Sequence, residues 1–163
     1  MKRINLSLAM ALCLGFLTSA TFANTNDPCS ELTNTSWSGK MHADFYNTQS
    51  CMGVTLHIEA ITPLGGNSSS LQGSITVQPS DNKVSTQNFT LTKAVCSFSQ
   101  SSASQQIVSL DLSGKDQKSN TTIYLSTHNL NAGSGVFTGN LGNVNVAQTI
   151  LYRGGNPNAS CSM

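Results

Sequence analysis

The chain has 163 residues, and only 9% of them are charged. Eight basic residues against seven acidic ones give a formal net charge of +1, which becomes 6 − 7 = −1 once Lys2 and Arg3 are removed with the N-terminal segment. Such a balance gives no electrostatic reason to expect nucleic acid or an anionic membrane as a partner.

The N-terminus is typical of a secretory signal peptide. Lys2 and Arg3 precede an apolar run over residues 6–17, and small and polar residues follow as far as Ala23. The apolar run is too short to cross a bilayer as a stable helix. We therefore predict a signal peptide over the first 23 residues, no membrane anchor, and secretion to the periplasm or the extracellular space. The remainder, residues 24–163, has the length of one domain.

Short runs of alternating apolar and polar residues recur along the chain, and no segment keeps a helical period. Turn-forming residues separate the runs at the spacing typical of an all-β sandwich or barrel, and residues 113–116 are among the predicted turns. The pattern predicts eight strands over residues 36–45, 53–60, 71–77, 88–98, 106–113, 121–127, 135–141 and 144–152.

One face of each predicted strand is apolar, which identifies the candidate core. Eight antiparallel strands in chain order leave two edges, and closing the sheet removes them. We therefore expect an eight-stranded antiparallel up-and-down meander barrel, with a β-sandwich as the alternative. The predicted inward residues are Trp37, Met41, Ala43, Phe45, Val54, Leu56, Ile58, Ala60, Leu71, Ile75, Val77, Phe89, Leu91, Val108, Leu110, Leu112, Ile123 and Leu125.

Four of the five cysteines remain once Cys13 is removed with the signal peptide. An even number in an exported chain predicts two disulfides, and the sequence leaves three pairings open. Alternating strand directions place Cys29, Cys96 and Cys161 near one end of the barrel and Cys51 near the other. Because the first and last strands of a closed meander are neighbours, we expect Cys29 to pair with Cys161, which leaves Cys51 with Cys96.

Several short phrases resemble avidin and its relatives, which are secreted eight-stranded meander barrels. Residues 29–33 and Trp37 are similar to the opening of an avidin chain, and residues 71–76 are similar to its third strand. Residues 136–140 and 148–153 resemble two of its later strands. The resemblance implies a calycin-like barrel. It does not imply biotin binding, because avidins hold biotin with several tryptophans and this chain has one.

The sequence contains none of the common catalytic motifs. It has no Gly-x-Ser-x-Gly elbow, no phosphate-binding glycine loop and no His-Glu-x-x-His, and oxidised cysteines offer no thiol nucleophile. We therefore expect a non-catalytic binding module without a cofactor, of undetermined oligomeric state. Its partner is either a small apolar ligand in the barrel mouth or a protein bound through the loops. The alternatives are a structural or interaction component of a bacterial cell envelope or secretion apparatus and, third, a small secreted enzyme.

Three aromatic residues are candidates for ligand binding. Trp37 starts the first strand, where it serves either as a core plug or as one wall of a small apolar pocket. Tyr124 and Tyr152 either flank the barrel mouth or pack on its outside. An internal cavity of roughly a few hundred Å³ would favour a small ligand, and a packed interior would favour interaction through the surface.

The first predicted hairpin carries a candidate metal site. If Met41 lies opposite Ile58, His42 faces His57 on the outer face of the sheet, and two carboxylates lie on the diagonals. Imidazoles and carboxylates are ligands for zinc or copper. The candidate metal ligands are therefore His42, His57, Asp44 and Glu59, and the alternative is an exposed polar patch.

Overall fold

The computed structural model describes residues 27–45, 48–79, 85–102 and 105–155, and the side chains within these ranges except those of residues 44, 45, 48–50, 100–102 and 105. All eight predicted strands are present at their predicted places, and most extend further than predicted. A short 3-10 turn, Ser30–Leu32, precedes them. The strands are β1 (Thr35–Phe45), β2 (Thr48–Gly65), β3 (Ser68–Pro79), β4 (Gln87–Ser102), β5 (Gln105–Asp116), β6 (Thr122–Leu130), β7 (Ser134–Leu141) and β8 (Val144–Arg153).

The eight strands form a closed antiparallel barrel in chain order. Closure is made by β1 and β8, which pair from Trp37 opposite Arg153 to Ala43 opposite Val146. The predicted up-and-down barrel is confirmed, and the sandwich alternative is excluded. Within the described ranges, no helix has the length and apolarity needed to cross a membrane.

Residues 113–116 continue β5, so the predicted turn at these positions is wrong. Gly114 is buried, and a Cβ there would lie 3.1 Å from Cβ of Phe89 on the neighbouring strand. The small and polar residues that suggest a turn are therefore strand residues, and Gly114 and Asp116 take its buried positions. The chain turns after Asp116, whose carboxylate accepts hydrogen bonds from the Lys118 amide and the Ser119 hydroxyl, both at 2.9 Å.

Buried side chains occupy the barrel interior and form one core cluster. Every predicted inward residue with a described side chain is buried except Ala60 and Leu91, which are half-buried. A bulge in β2 between Ile58 and Ala60 shifts its register against β3, which explains the first exception. The largest fully buried side chains are Trp37, Phe89, Phe137, Met41, Leu56, Ile58, Ile75, Leu110, Leu112, Ile123, Leu125 and Leu151.

A disulfide joins Cys29 to Cys96 across a sequence separation of 67 residues, and both cysteines are fully buried. The predicted pairings of Cys29 with Cys161 and of Cys51 with Cys96 are therefore wrong. The physical reason is the path of the N-terminal segment, which reaches β4 before it enters β1. Cys51 is also disulfide-bonded, and Cys161 lies outside the described residues.

Candidate functional site

Residues 27–34, which we call the N-terminal cap, lie across the end of the barrel where β1 begins and β4 ends. The carboxylate of Asp27 accepts a hydrogen bond from the Cys29 amide at 2.9 Å and one from the Ser69 hydroxyl of β3 at 3.4 Å. Leu32 is buried in the core cluster. Together with the disulfide, these contacts fix the cap to the barrel.

Trp37 lies beneath the cap and is held by a short chain of hydrogen bonds. Its indole Nε1 donates to the Thr35 hydroxyl at 3.0 Å, and that hydroxyl donates to the carbonyl of Leu32 at 2.6 Å. Only 1% of Trp37 is exposed. It is therefore a core side chain whose position is coupled to the cap by polar contacts.

A recess of about 370 Å³, which we call the mouth recess, opens beside the cap at this end of the barrel. Its volume lies within the range of roughly 300–1,000 Å³ found for ligand sites. The recess is at the barrel mouth, above the packed core, so it admits a chemical group from outside the barrel. Its lining contains apolar residues (Pro28, Leu32, Trp37, Val108, Leu130 and Ala132) and polar residues (Glu31, Gln106, Asn129, Asn131 and Arg153).

Arg153 supplies the positive charge of the mouth recess. It is the last residue of β8, and its Nη2 donates to the backbone carbonyl of Glu31 in the cap at 3.1 Å. A guanidinium carries five N–H donors in a planar fork, so this one bond positions the group without consuming its donor capacity. Arg153 is also the only arginine that follows the predicted signal peptide.

The side chain of Asn131 contributes a second donor. Its Oδ1 accepts hydrogen bonds from the backbone amides of Gly133 and Ser134, at 3.1 and 2.7 Å, and from the Ser134 hydroxyl at 3.2 Å. Because the oxygen is engaged by the turn between β6 and β7, the group that Asn131 offers to a ligand is its NH₂. The recess therefore combines an apolar floor with at least two side chains that donate hydrogen bonds.

Tyr124 and Tyr152 do not join Trp37 at the recess. Both are on the outer face of the barrel, 41% and 52% exposed, at opposite ends of their strands. The Tyr124 hydroxyl donates to the Asp111 carboxylate at 3.1 Å, and Tyr152 lies opposite Ser38 of β1. Of the three aromatic residues expected to bind ligand, the structure thus places one in the lining of the recess.

The predicted pairing of the two histidines is wrong. His42 lies opposite Cys51, and His57 lies opposite Ser36. The histidines are therefore 42 − 36 = 6 ladder positions apart, about 20 Å along the strands. The side chain of Asp44 is outside the described set, and the described residues contain no group of three or more His, Cys, Asp or Glu placed to hold a metal ion.

The number of residues between the first two strands explains this register. Phe45 pairs with Thr48, so only residues 46 and 47 connect β1 to β2. The sequence pattern predicts a longer loop here, and the length of a hairpin loop fixes the register of the strands it joins.

His57 instead shares a hydrogen bond of 2.9 Å between its Nδ1 and the Ser36 hydroxyl. Sequence reasoning missed this pair because it depends on the register. Both residues lie on the outward face of the sheet, and neither lines the mouth recess. A serine nucleophile requires a concave substrate site and donors for the developing oxyanion in addition to a base. The pair is therefore a cross-strand contact of the barrel surface.

A larger depression, of about 630 Å³, lies in the barrel wall between β3 and β4. The two strands lose their pairing between Ser70 and Ser74, and a Cβ at Gly73 would lie only 2.0 Å from the His57 carbonyl oxygen, which shows how closely β3 approaches β2 here. Glu59, one of the candidate metal ligands, lines this depression together with Lys93. The depression has no arginine in its lining, whereas the mouth recess contains a guanidinium that is anchored to the cap, so the mouth recess is the better candidate site.

No family model, curated protein or solved structure matches the chain. The resemblance to avidin-type barrels accordingly stays a prediction, and the case for a function depends on the geometry of the described residues.

Proposed function

We propose that this chain is a secreted, non-catalytic binding module that holds a peptide segment of a protein partner at the mouth recess. The observation that carries the proposal is the position of the recess above a packed barrel interior. Because core side chains occupy the interior, a ligand enclosed within the barrel is disfavoured. A group that belongs to a larger partner can enter the recess while the rest of that partner remains outside.

The location expected for the protein supports this proposal. The buried Cys29–Cys96 disulfide is consistent with an oxidising compartment. The N-terminal sequence adds the expectation of export to the periplasm or the extracellular space. An exported domain that is built for binding also needs a rigid site, and the covalently fixed cap forms one wall of the recess.

The proposal is tested by selection of random hexapeptides, displayed with either a free N-terminus or a free C-terminus, on the folded mature protein. The blocking variant is Ala132→Trp, which places a large side chain at an exposed position of the recess lining. The matched control is Thr122→Trp, at an exposed position where β6 begins, the other end of the barrel. We expect selected peptides to bind the wild type and the control equally and to lose about tenfold or more in affinity for the blocked variant.

Failure to enrich any peptide in either orientation would contradict a peptide-binding function. Equal binding of the enriched peptides to both tryptophan variants would show that a protein partner uses another surface. The two results are distinct, because the first excludes peptide binding and the second excludes only the mouth recess as the place where the peptide binds.

A further inference from the structure

We infer that the mouth recess recognises a carboxylate with an adjacent apolar group, and that this group is the C-terminal residue of a polypeptide. The inference rests on the proposed function and names its ligand chemistry. The structure juxtaposes a backbone-anchored guanidinium, an amide oriented as a donor and an apolar floor in one recess.

The guanidinium of Arg153 is the primary recognition group for the carboxylate. Its bond to the Glu31 carbonyl restricts the side chain before any ligand arrives, so less conformational entropy is lost on binding. The planar fork matches the two oxygens of a carboxylate, and hydrogen bonds between charged groups are about twice as strong as neutral ones. A cation that is held in this way at the rim of a recess favours an anionic ligand over a neutral one.

The amide of Asn131 strengthens the same preference. Three hydrogen bonds to its oxygen orient the side chain, so that its NH₂ is the available group. Asn131 follows directly on Leu130, which is buried and lines the floor. A donor and an apolar surface thus come from adjacent residues, as a ligand with an apolar group next to its carboxylate requires.

Such a carboxylate belongs either to a free small acid or to a polypeptide C-terminus, and the packed barrel interior favours the second. A free small acid gains its affinity from apolar burial, but the floor residues Leu130 and Val108 are already 95% and 92% buried, with exposures of 5% and 8%. The floor therefore contributes only limited apolar area to any ligand, so a small acid that is confined to the recess binds weakly. A polypeptide C-terminus supplies the same carboxylate and apolar side chain, and its preceding residues make further contacts with the cap and the barrel rim.

The carboxylate of Glu31 allows the preference for an anionic ligand to be tested in the opposite direction. It also lines the recess, and it repels an anionic ligand. Neutralising Glu31 should therefore strengthen binding, whereas neutralising Arg153 should weaken it. A purely steric or apolar site would show neither change.

The experiment measures fluorescence anisotropy of the peptide Gly-Ser-Gly-Ala-Leu, labelled at its N-terminus, as the free acid and as the C-terminal amide. We expect the acid to bind the mature protein with a Kd of about 100 µM and the amide to bind about tenfold more weakly. Arg153→Gln should reduce binding of the acid to the level of the amide. Glu31→Gln should improve binding of the acid about threefold, since the removed repulsion acts across a solvated recess. Lys93→Gln, which removes a cation from the depression between β3 and β4, is the matched control and should change nothing.

Three outcomes would overturn the inference. Equal binding of the acid and the amide would show that the carboxylate is not recognised. The recess would then remain a peptide site, as the proposed function requires. Competition by hexanoate at the concentration at which the peptide acid competes would assign the site to small acids instead. Tighter binding with Arg153→Gln, or weaker binding with Glu31→Gln, would reverse the assigned roles of the two charges. Thermal melting of each variant verifies that it is folded, and the Glu31 variant tests the inference even if loss of the Arg153 contact loosens the cap.

Discussion

Removal of the Cys29–Cys96 disulfide should cost the protein about 4 kcal/mol of unfolding free energy. In the chain-entropy description, a crosslink that closes a loop of 67 residues restricts the unfolded chain by about 15 cal/mol/K, which is about 4 kcal/mol at 25 °C. Both sulfur atoms belong to fully buried residues, so truncation to alanine also leaves a small cavity. For a domain of this length we expect the melting temperature to fall by roughly 15 °C.

The assay is urea unfolding of the wild type, of Cys29→Ala, of Cys96→Ala and of the double variant. Because each single substitution breaks the same bond, both should lose nearly as much stability as the double variant. This non-additivity distinguishes the observed pairing from the one expected from sequence, in which Cys29 and Cys96 belong to different disulfides and their effects add. Additive losses would contradict the pairing of Cys29 with Cys96, and a loss below about 1 kcal/mol in the double variant would contradict its stabilising effect.

Three further predictions concern single residues. Thr149→Val should raise the unfolding free energy by about 1 kcal/mol, because the buried Thr149 hydroxyl has no hydrogen-bond partner among the described residues; a loss of stability in urea would contradict this. The Lys118 amide holds the pKa of Asp116 below its usual range, so the ionised carboxylate stabilises the fold above the unfolded-state pKa, and this contribution disappears as the pH falls through the folded-state pKa. Asp116→Asn should flatten the acid limb of a plot of urea midpoint against pH between about 7 and 2, and an unchanged limb would exclude this role. Gly139→Ala should destabilise the barrel by at least about 2 kcal/mol in thermal melts, because the new Cβ would lie 1.8 Å from a carbonyl oxygen of β6. Gly133→Ala, where nothing lies within 4 Å, is its control and should melt with the wild type.

Most of the fold could be predicted from the strand pattern, because the alternation of apolar and polar residues with a period of two shows which face of each strand is buried. Eight apolar-faced runs in chain order predicted eight strands, and the choice of a barrel followed from the need to remove sheet edges. Errors arose where a bulge interrupts the alternation, as after Ile58, and where small residues such as Gly114 occupy inward positions. At Gly114 the sequence pattern predicts a turn, and at Ala60 it assigns a half-buried residue to the buried face.

The pairing register of β1 against β2 could not be predicted from the same apolar–polar alternation. A shift by an even number of residues keeps every side chain on its face, so the core residues stay correct while every cross-strand partner changes. Met41 was expected opposite Ile58 and lies opposite Met52, a shift of 58 − 52 = 6. The candidate metal site depended on this partner assignment, whereas the core did not.

The mouth recess was only partly visible in the sequence for a related reason. Trp37 was identified by its size, but Asn131 is oriented by the turn between β6 and β7, and Arg153 is positioned by the cap, whose path across the barrel end has no periodic signal. The cap meets Arg153 through the Glu31 carbonyl and meets β4 through the disulfide, so one short segment determines both the connectivity and the wall of the recess. Because apolar alternation does not encode the path of this segment, the same missing information accounts for the wrong disulfide pairing and for the overlooked arginine.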